Sequence, residues 1–122
     1  KKILVIDDEH NITVFLKTYL EGTGRFEVRT ANSGKAGYEA AKVFRPDLIF
    51  LDVMMQDMSG DDVADLIKND ILLRKTPIVF LTGIVTKEEI EERGGTIGGY
   101  TYIAKPILAM TELLDCIDAN LK

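Results

Sequence analysis

Apolar residues in this chain come in short runs, each stopping on a polar or charged side chain. Residues 3–6 run into Asp7 and Asp8, residues 48–51 into Asp52, residues 78–81 into Thr82, and residues 100–104 into Lys105. Between the runs, apolar residues recur at helical spacing, and Gly, Pro, Asn and Asp punctuate the changes. That alternation predicts five successive βα units around a parallel sheet, whose strands, covered on both faces, are apolar along their length. A further strand is expected at residues 26–31.

The helices follow from the same reading. Ile12, Phe15, Leu16, Tyr19 and Leu20 sit at i, i+3, i+4, i+7 and i+8, ahead of a stop at Gly22-Thr23-Gly24. Ser33 is placed to cap a second helix with an apolar stripe of Ala36, Ala40, Val43 and Phe44, and Pro46 prevents that helix from continuing. Ser59 and Asp62 stand at capping-box spacing before Val63, Leu66 and Ile67. Thr86 and Glu89 repeat the spacing, but Ile90 is nearly the only apolar residue before the glycine cluster at 94–99, so the fourth helix is expected to be short and weakly anchored. Leu108, Leu113, Leu114, Ile117 and Leu121 mark a last helix.

At 122 residues, 46% of them hydrophobic, the chain has the length of one domain spanning 1–122, with enough core to bury about two-thirds of its unfolded surface. A net charge of −5 is the wrong sign for gripping a phosphate backbone, so no direct nucleic-acid binding is expected. No stretch reaches the roughly 20 apolar residues that cross a bilayer, and no signal-peptide core is evident, so a cytoplasmic protein without membrane attachment is expected. A lone cysteine, Cys116, can make neither an internal disulfide nor a zinc site and is read as core.

The strand ends carry the chemistry. In an open parallel sheet they converge at the carboxyl edge, where ligands bind. Asp7, Asp8 and Asp52 brought together there repel one another unless a cation intervenes. All-oxygen donors without His or Cys select a hard ion, and few carboxylates plus waters and phosphate suit Mg²⁺ better than Ca²⁺, which prefers more ligands. Lys105 adds a fixed positive charge and Thr82 a hydroxyl, completing a pocket for a phosphoryl group with a carboxylate as nucleophile. Each residue alone also has a plainer reading: an acidic turn, a strand-end carboxylate, a strand threonine, a surface lysine. Their joint occurrence at separate strand ends favours the pocket.

The chain closely resembles, over its whole length, the receiver domain of two-component response regulators. The resemblance rests on Ile3-Leu4-Val5-Ile6-Asp7-Asp8-Glu9, on Pro46-Asp47-Leu48-Ile49-Phe50-Leu51-Asp52, and on Met55 with Met58 and Gly60. Pro77-Ile78-Val79-Phe80-Leu81-Thr82-Gly83 and Tyr102-Ile103-Ala104-Lys105-Pro106 complete it. It implies a flavodoxin-like (βα)5 three-layer sandwich with a parallel five-stranded sheet in the order 2-1-3-4-5.

It also implies roles. Asp52 is the phosphoacceptor, fed by a sensor histidine kinase or phosphotransfer protein. Asp8, Asp52 and the backbone carbonyl of Met54 hold Mg²⁺, with Asp7 acting largely through water. Lys105 pairs with the phosphoryl group. Thr82 and Tyr102 relay the change to a face made by the fourth helix, the fifth strand and the last helix, a face also available to a homodimer. The Lys105–Pro106 peptide is expected to be cis.

Three features depart from the common pattern. Gln56 replaces a frequent proline, which leaves the loop after Asp52 less restrained. Met54 and Ile84 are apolar neighbours of the pocket, expected to hinder an attacking water and lengthen the life of the acyl phosphate. The glycines at 94–99 imply either a short, displaced or mobile fourth helix or an ordinary surface loop. Two other functions use similar parts: a Mg²⁺-dependent phosphohydrolase acting through an aspartyl phosphate, for which 122 residues leave little room for a cap, and a receiver that only docks. The expected activity is stoichiometric acceptance of a phosphoryl group with slow self-dephosphorylation, not turnover of a substrate.

Overall fold

A computed structural model describes residues 1–94, 96–107 and 110–121. The chain runs β1 (Lys2–Ile6), α1 (His10–Gly22), β2 (Glu27–Ala31), α2 (Gly34–Phe44), β3 (Leu48–Asp52), α3 (Gly60–Asn69) and β4 (Ile78–Thr82). It ends with α4 (Lys87–Glu92), β5 (Thr96–Ile97), β6 (Tyr100–Ala104) and α5 (Met110–Asn120). Strands β2, β1, β3, β4 and β6 are parallel neighbours in that order. This is the expected flavodoxin-like arrangement with one correction. The sheet has six strands, because β5 pairs antiparallel with β6 at the edge, Thr96 opposite Thr101 and Ile97 opposite Tyr100.

The cause of the extra strand is local. Gly98 and Gly99, both at positive φ (59° and 86°), form a two-residue hairpin turn of the kind that suits the twist of paired strands. The glycine cluster therefore serves partly as a turn, as the plainer of its two readings held. The preceding helix is also short, six residues with Ile90 alone buried, and it opens with the expected Thr86–Glu89 capping box.

Period-two alternation divides the core between the two faces of the sheet. On one side Ile3, Val5, Phe50, Val79, Leu81 and Ile103 pack against α1 and α5. On the other, Leu4, Ile6, Ile49, Leu51 and Phe80 pack against α2 and α3. Cys116 is half-buried against the first cluster, as expected, and burial pushes its thiol up to about 11.

Helix faces depart from expectation where the apolar spacing offered more residues than the buried arc accepts. The arc of α1 is Thr13, Leu16 and Leu20, which leaves Phe15 55% exposed. In α2 it is Gly34, Gly37, Ala41 and Phe44, so Val43 and Ala36 point outward. A Cβ on Gly37 would lie 2.6 Å from the Ile6 side chain, so this glycine, beside the fully buried Ala41, lets α2 lie close to the sheet. In α3 Ala64 takes the place expected of Leu66 beside Val63 and Ile67. Leu108 lies outside the described residues.

Candidate functional site

Parallel register aligns the strand ends. Ile6 is level with Leu51, so the next residues, Asp7 and Asp52, emerge side by side from β1 and β3. These two strands flank the point where the chain reverses its direction of growth across the sheet, where α/β folds open a crevice. One oxygen from each of Asp7, Asp8 and Asp52 lies within 4.8 Å of the others. Thr82 is level with Ala104, which brings Lys105 just beyond the end of β4, and the Lys105 amide donates to the Thr82 carbonyl at 2.7 Å. The Lys105–Pro106 peptide is cis.

The Lys105 ammonium joins the acidic strand ends. It lies 2.7 Å from Asp7 Oδ2, 3.3 Å from Asp52 Oδ1 and 3.3 Å from Glu9 Oε1. Asp7 is fully buried and satisfied: its Oδ1 accepts the Glu9 amide at 3.0 Å and its Oδ2 the ammonium. Asn32 braces the same strand end, donating to the Asp7 carbonyl and to the Thr13 hydroxyl. Asp8 and Asp52 line an open cavity of about 410 Å³ together with Glu9, Met54, Ile84 and Lys105. A larger groove between α4, β6 and α5 is lined by Lys87, Glu91, Glu112 and Asp115, but among the described residues the carboxylates that come together closely enough to hold a metal are Asp7, Asp8 and Asp52.

Burial and the neighbouring Asp7 charge push the Asp52 carboxyl up to about 6, although Lys105 pulls the other way. For Lys105 itself burial works against the charge. Its hydrogen bond to Asp7 and the negative charges of Asp7 and Asp52 outweigh that, so its affinity for the proton rises. The site thus holds more negative charge than its one lysine neutralises. Three clustered carboxylates with all-oxygen donors fit a hard divalent cation.

Of the residues singled out from sequence, Asp7, Asp8, Asp52 and Lys105 are brought into one cluster. Thr82 stands at the adjacent strand end, its Oγ1 accepting the Ile84 amide at 3.1 Å. Met54 and Ile84 border the cavity, 63% and 62% exposed. Tyr102 lies apart, stacked on Phe80 at a ring separation of 5.0 Å. Sequence reasoning missed Glu9 as a partner of Lys105, Asn32 as a brace and Asp57 as the acceptor of the Gly34 and Lys35 amides. Only Glu9 carried a signal, its place beside the acidic pair.

The family model for the response regulator receiver domain matches residues 3–118, and the chain belongs to this family. Its members are phosphoacceptor signalling modules of two-component systems. They bind Mg²⁺ at an acidic pocket and interact with histidine kinases or phosphotransfer proteins.

Among its relatives is the nisin biosynthesis regulatory protein NisR of Lactococcus lactis subsp. lactis. The chain is 35% identical to it over 99% of its own length and 50% of that protein's. It is 34% identical to the polar-differentiation response regulator DivK of Brucella anthropi, over 88% of this chain and 85% of that one. Among solved structures, the chemotaxis response regulator CheY4 of Vibrio cholerae superposes with a TM-score of 0.81 at 29% identity, covering 98% of both chains. The chain spans about half the length of several curated relatives it matches, NisR included. Among the described residues, no helix is long and apolar enough to cross a membrane.

Proposed function

We propose that this chain accepts a phosphoryl group on Asp52 from a phosphohistidine of a sensor kinase or phosphotransfer protein. An Asp52 carboxylate oxygen attacks phosphorus and the P–N bond breaks. Its electron pair goes to the imidazole nitrogen of the donor, which takes up a proton. Asp8, Asp52 and the Met54 carbonyl would hold Mg²⁺, with Asp7 contributing largely through water. When bound, the ion neutralises charge on the carboxylates and on the phosphoryl oxygens.

The chain's own residues supply the rest. Lys105, tethered between Asp7 and Asp52, turns its ammonium to a phosphoryl oxygen once Asp52 is phosphorylated. The Thr82 hydroxyl, an acceptor from Ile84, keeps its proton to donate to another oxygen. Movement of Thr82 draws on Tyr102, two positions back on the neighbouring strand. The change thereby reaches the face of α4, β6 and α5, where an output partner or a second copy docks. Met54 and Ile84 hinder water at the acyl phosphate, so the product persists and the chain acts as a switch rather than a turnover enzyme.

The observation that carries this reading is the single ammonium shared by Asp7 and Asp52 beside the three-carboxylate cluster. Its test is incubation with acetyl phosphate and Mg²⁺, read by intact mass. A stoichiometric phosphoryl gain that disappears in Asp52→Asn supports it. Multiple turnover of a phosphate ester points to a phosphohydrolase, and no gain in the wild type leaves only docking.

A further inference from the structure

We propose that Asp57 is a positioning residue for the loop that carries Met54: its carboxylate pins the tip of that loop to the amino end of α2 and so fixes the backbone at the metal-binding position. The inference rests on the reading of Met54 given above.

The loop between β3 and α3 is closed at its base. The Gly60 amide donates to the Val53 carbonyl at 2.8 Å, and a Cβ on Gly60 would collide with the Asp52 carbonyl, so the two ends lie as near as backbone allows. The intervening residues include Gln56, which offers no ring to restrain φ. Restraint comes instead from Asp57, whose two oxygens accept the amides of Gly34 and Lys35, each at 2.9 Å. These are first-turn donors of α2 that have no partner within their own helix. The Met58 side chain fills the space that a Cβ on Gly34 would take, so the loop tip and α2 interlock as well as bond.

These contacts complete a ring of elements around the site. Helix α2 rests through Gly37 on Ile6, the residue before Asp7, and holds through Gly34 and Lys35 the loop that follows Asp52. Two strand ends that present carboxylates are thus joined a second time, through a helix as well as through the sheet. Ser33 supplies an internal comparison. It caps the same helix by accepting the Ala36 amide at 3.1 Å, but belongs to the helix side and does not hold the loop.

Magnesium titration by calorimetry, with amide exchange at residues 53–56 measured without metal, tests the inference in Asp57→Ala, Asp57→Asn and Ser33→Ala. Loss of a group hydrogen-bonded to a metal ligand lowers affinity by roughly 10-fold or more. Asp57 acts on Met54 one step further out, through the loop backbone, so roughly 10-fold is the ceiling. Asp57→Ala is expected to show a drop of more than about twofold and up to that ceiling, together with faster exchange at 53–56. Asp57→Asn, which keeps one acceptor oxygen, falls between Asp57→Ala and wild type. Ser33→Ala lowers the melting temperature through the lost cap and leaves affinity within about twofold, the scatter expected of an uncoupled site. Wild-type affinity in Asp57→Ala overturns the inference. If the wild type takes up no Mg²⁺, the reading of Met54 fails, and exchange at 53–56 alone decides whether the clip exists: unchanged rates in Asp57→Ala overturn it.

Discussion

Strands β3 and β4 are buried at every position, whereas β6, one strand further out, is only half-buried at four of its five residues. The central strands are sealed between α1 and α5 on one face and α2 and α3 on the other. Beyond β4 the cover thins: Leu113 and Ile117 of α5 still close over Ile103, but Ile90 of α4 is buried without joining either core cluster among the described residues. Phe80 at the boundary is shielded by tyrosines, Tyr100 edge-on and Tyr102 stacked. The carboxylates stand on the sealed part and the proposed output surface on the thin part. A charge cluster needs rigid neighbours to hold repelling groups together, and a responsive surface has to be drawn from elements of low local stability.

Cavity-forming substitutions test that contrast most severely. Phe50→Ala removes a fully buried ring from β3 and should cost about 3–5 kcal/mol of global stability, read by urea denaturation. Ile90→Ala should cost about 2 kcal/mol or less, because a six-residue helix with one anchor relaxes around the gap. Its signature is lost amide protection confined to residues 87–92. Equal global losses would show that α4 is as integral to the fold as β3, and strong protection across residues 86–97 in the wild type would say the same.

The second test acts on the charge cluster itself. Asp52 has its folded-state carboxyl pushed to about 6 from an ordinary 3.8, so between those values the folded protein binds more protons than the unfolded one. Stability is lost as pH rises through that window, and the full penalty applies above it. Metal-free Asp52→Asn should therefore be more stable than wild type at pH 7.5, on the order of 3 kcal/mol, the opposing pull of Lys105 being already contained in that shift. The advantage should vanish near pH 3.8. Added Mg²⁺ should raise the melting temperature of the wild type more than that of the variant. A variant less stable at every pH would mean that Lys105 already compensates the site.

How far these features could be read from sequence follows the same division. The strand ends were legible because a doubly covered parallel strand admits no polar residue until the chain leaves the sheet, so Asp7, Asp52, Thr82 and Lys105 announced themselves. Helix faces were only partly legible: Phe15, Val43 and Leu66 satisfy helical spacing but fall outside the buried arc, which depends on how each helix is rotated on the sheet. The small residues Gly34, Gly37 and Gly60 give no apolar signal, although close packing depends on them. Strand β5 is too short for period-two alternation to register. Asp57 looks like any loop carboxylate until the fold brings α2 beside it.

The hairpin offers a smaller test. Gly99→Ala forces a Cβ into a left-handed conformation at φ 86° and should cost about 1 kcal/mol. The change should appear as faster exchange at residues 96–101 with an unchanged core. Gly98→Asn, at φ 59°, should be nearly neutral, since asparagine tolerates that region. A core-wide effect from either substitution would tie the edge to the centre more firmly than its burial suggests.

The smallest effect concerns the one ion pair joining α4 to α5 among the described residues, Lys87 Nζ to Glu112 Oε2 at 3.8 Å. Both side chains are substantially exposed, so Coulomb attraction is screened and offset by the cost of ordering two long side chains. Lys87→Ala should change global stability by less than about 0.5 kcal/mol. Local behaviour is the better readout, because the pair spans the groove that Ile90, Tyr102 and Cys116 also line. Exchange within residues 87–92 should quicken slightly at low salt, and about 1 M salt, where the screening length falls to ~3 Å, should bring wild type and variant together. If the difference persists at high salt, the lysine holds α4 through its aliphatic stem rather than its charge. The thin flank would then owe its order to packing, as the sealed flank does.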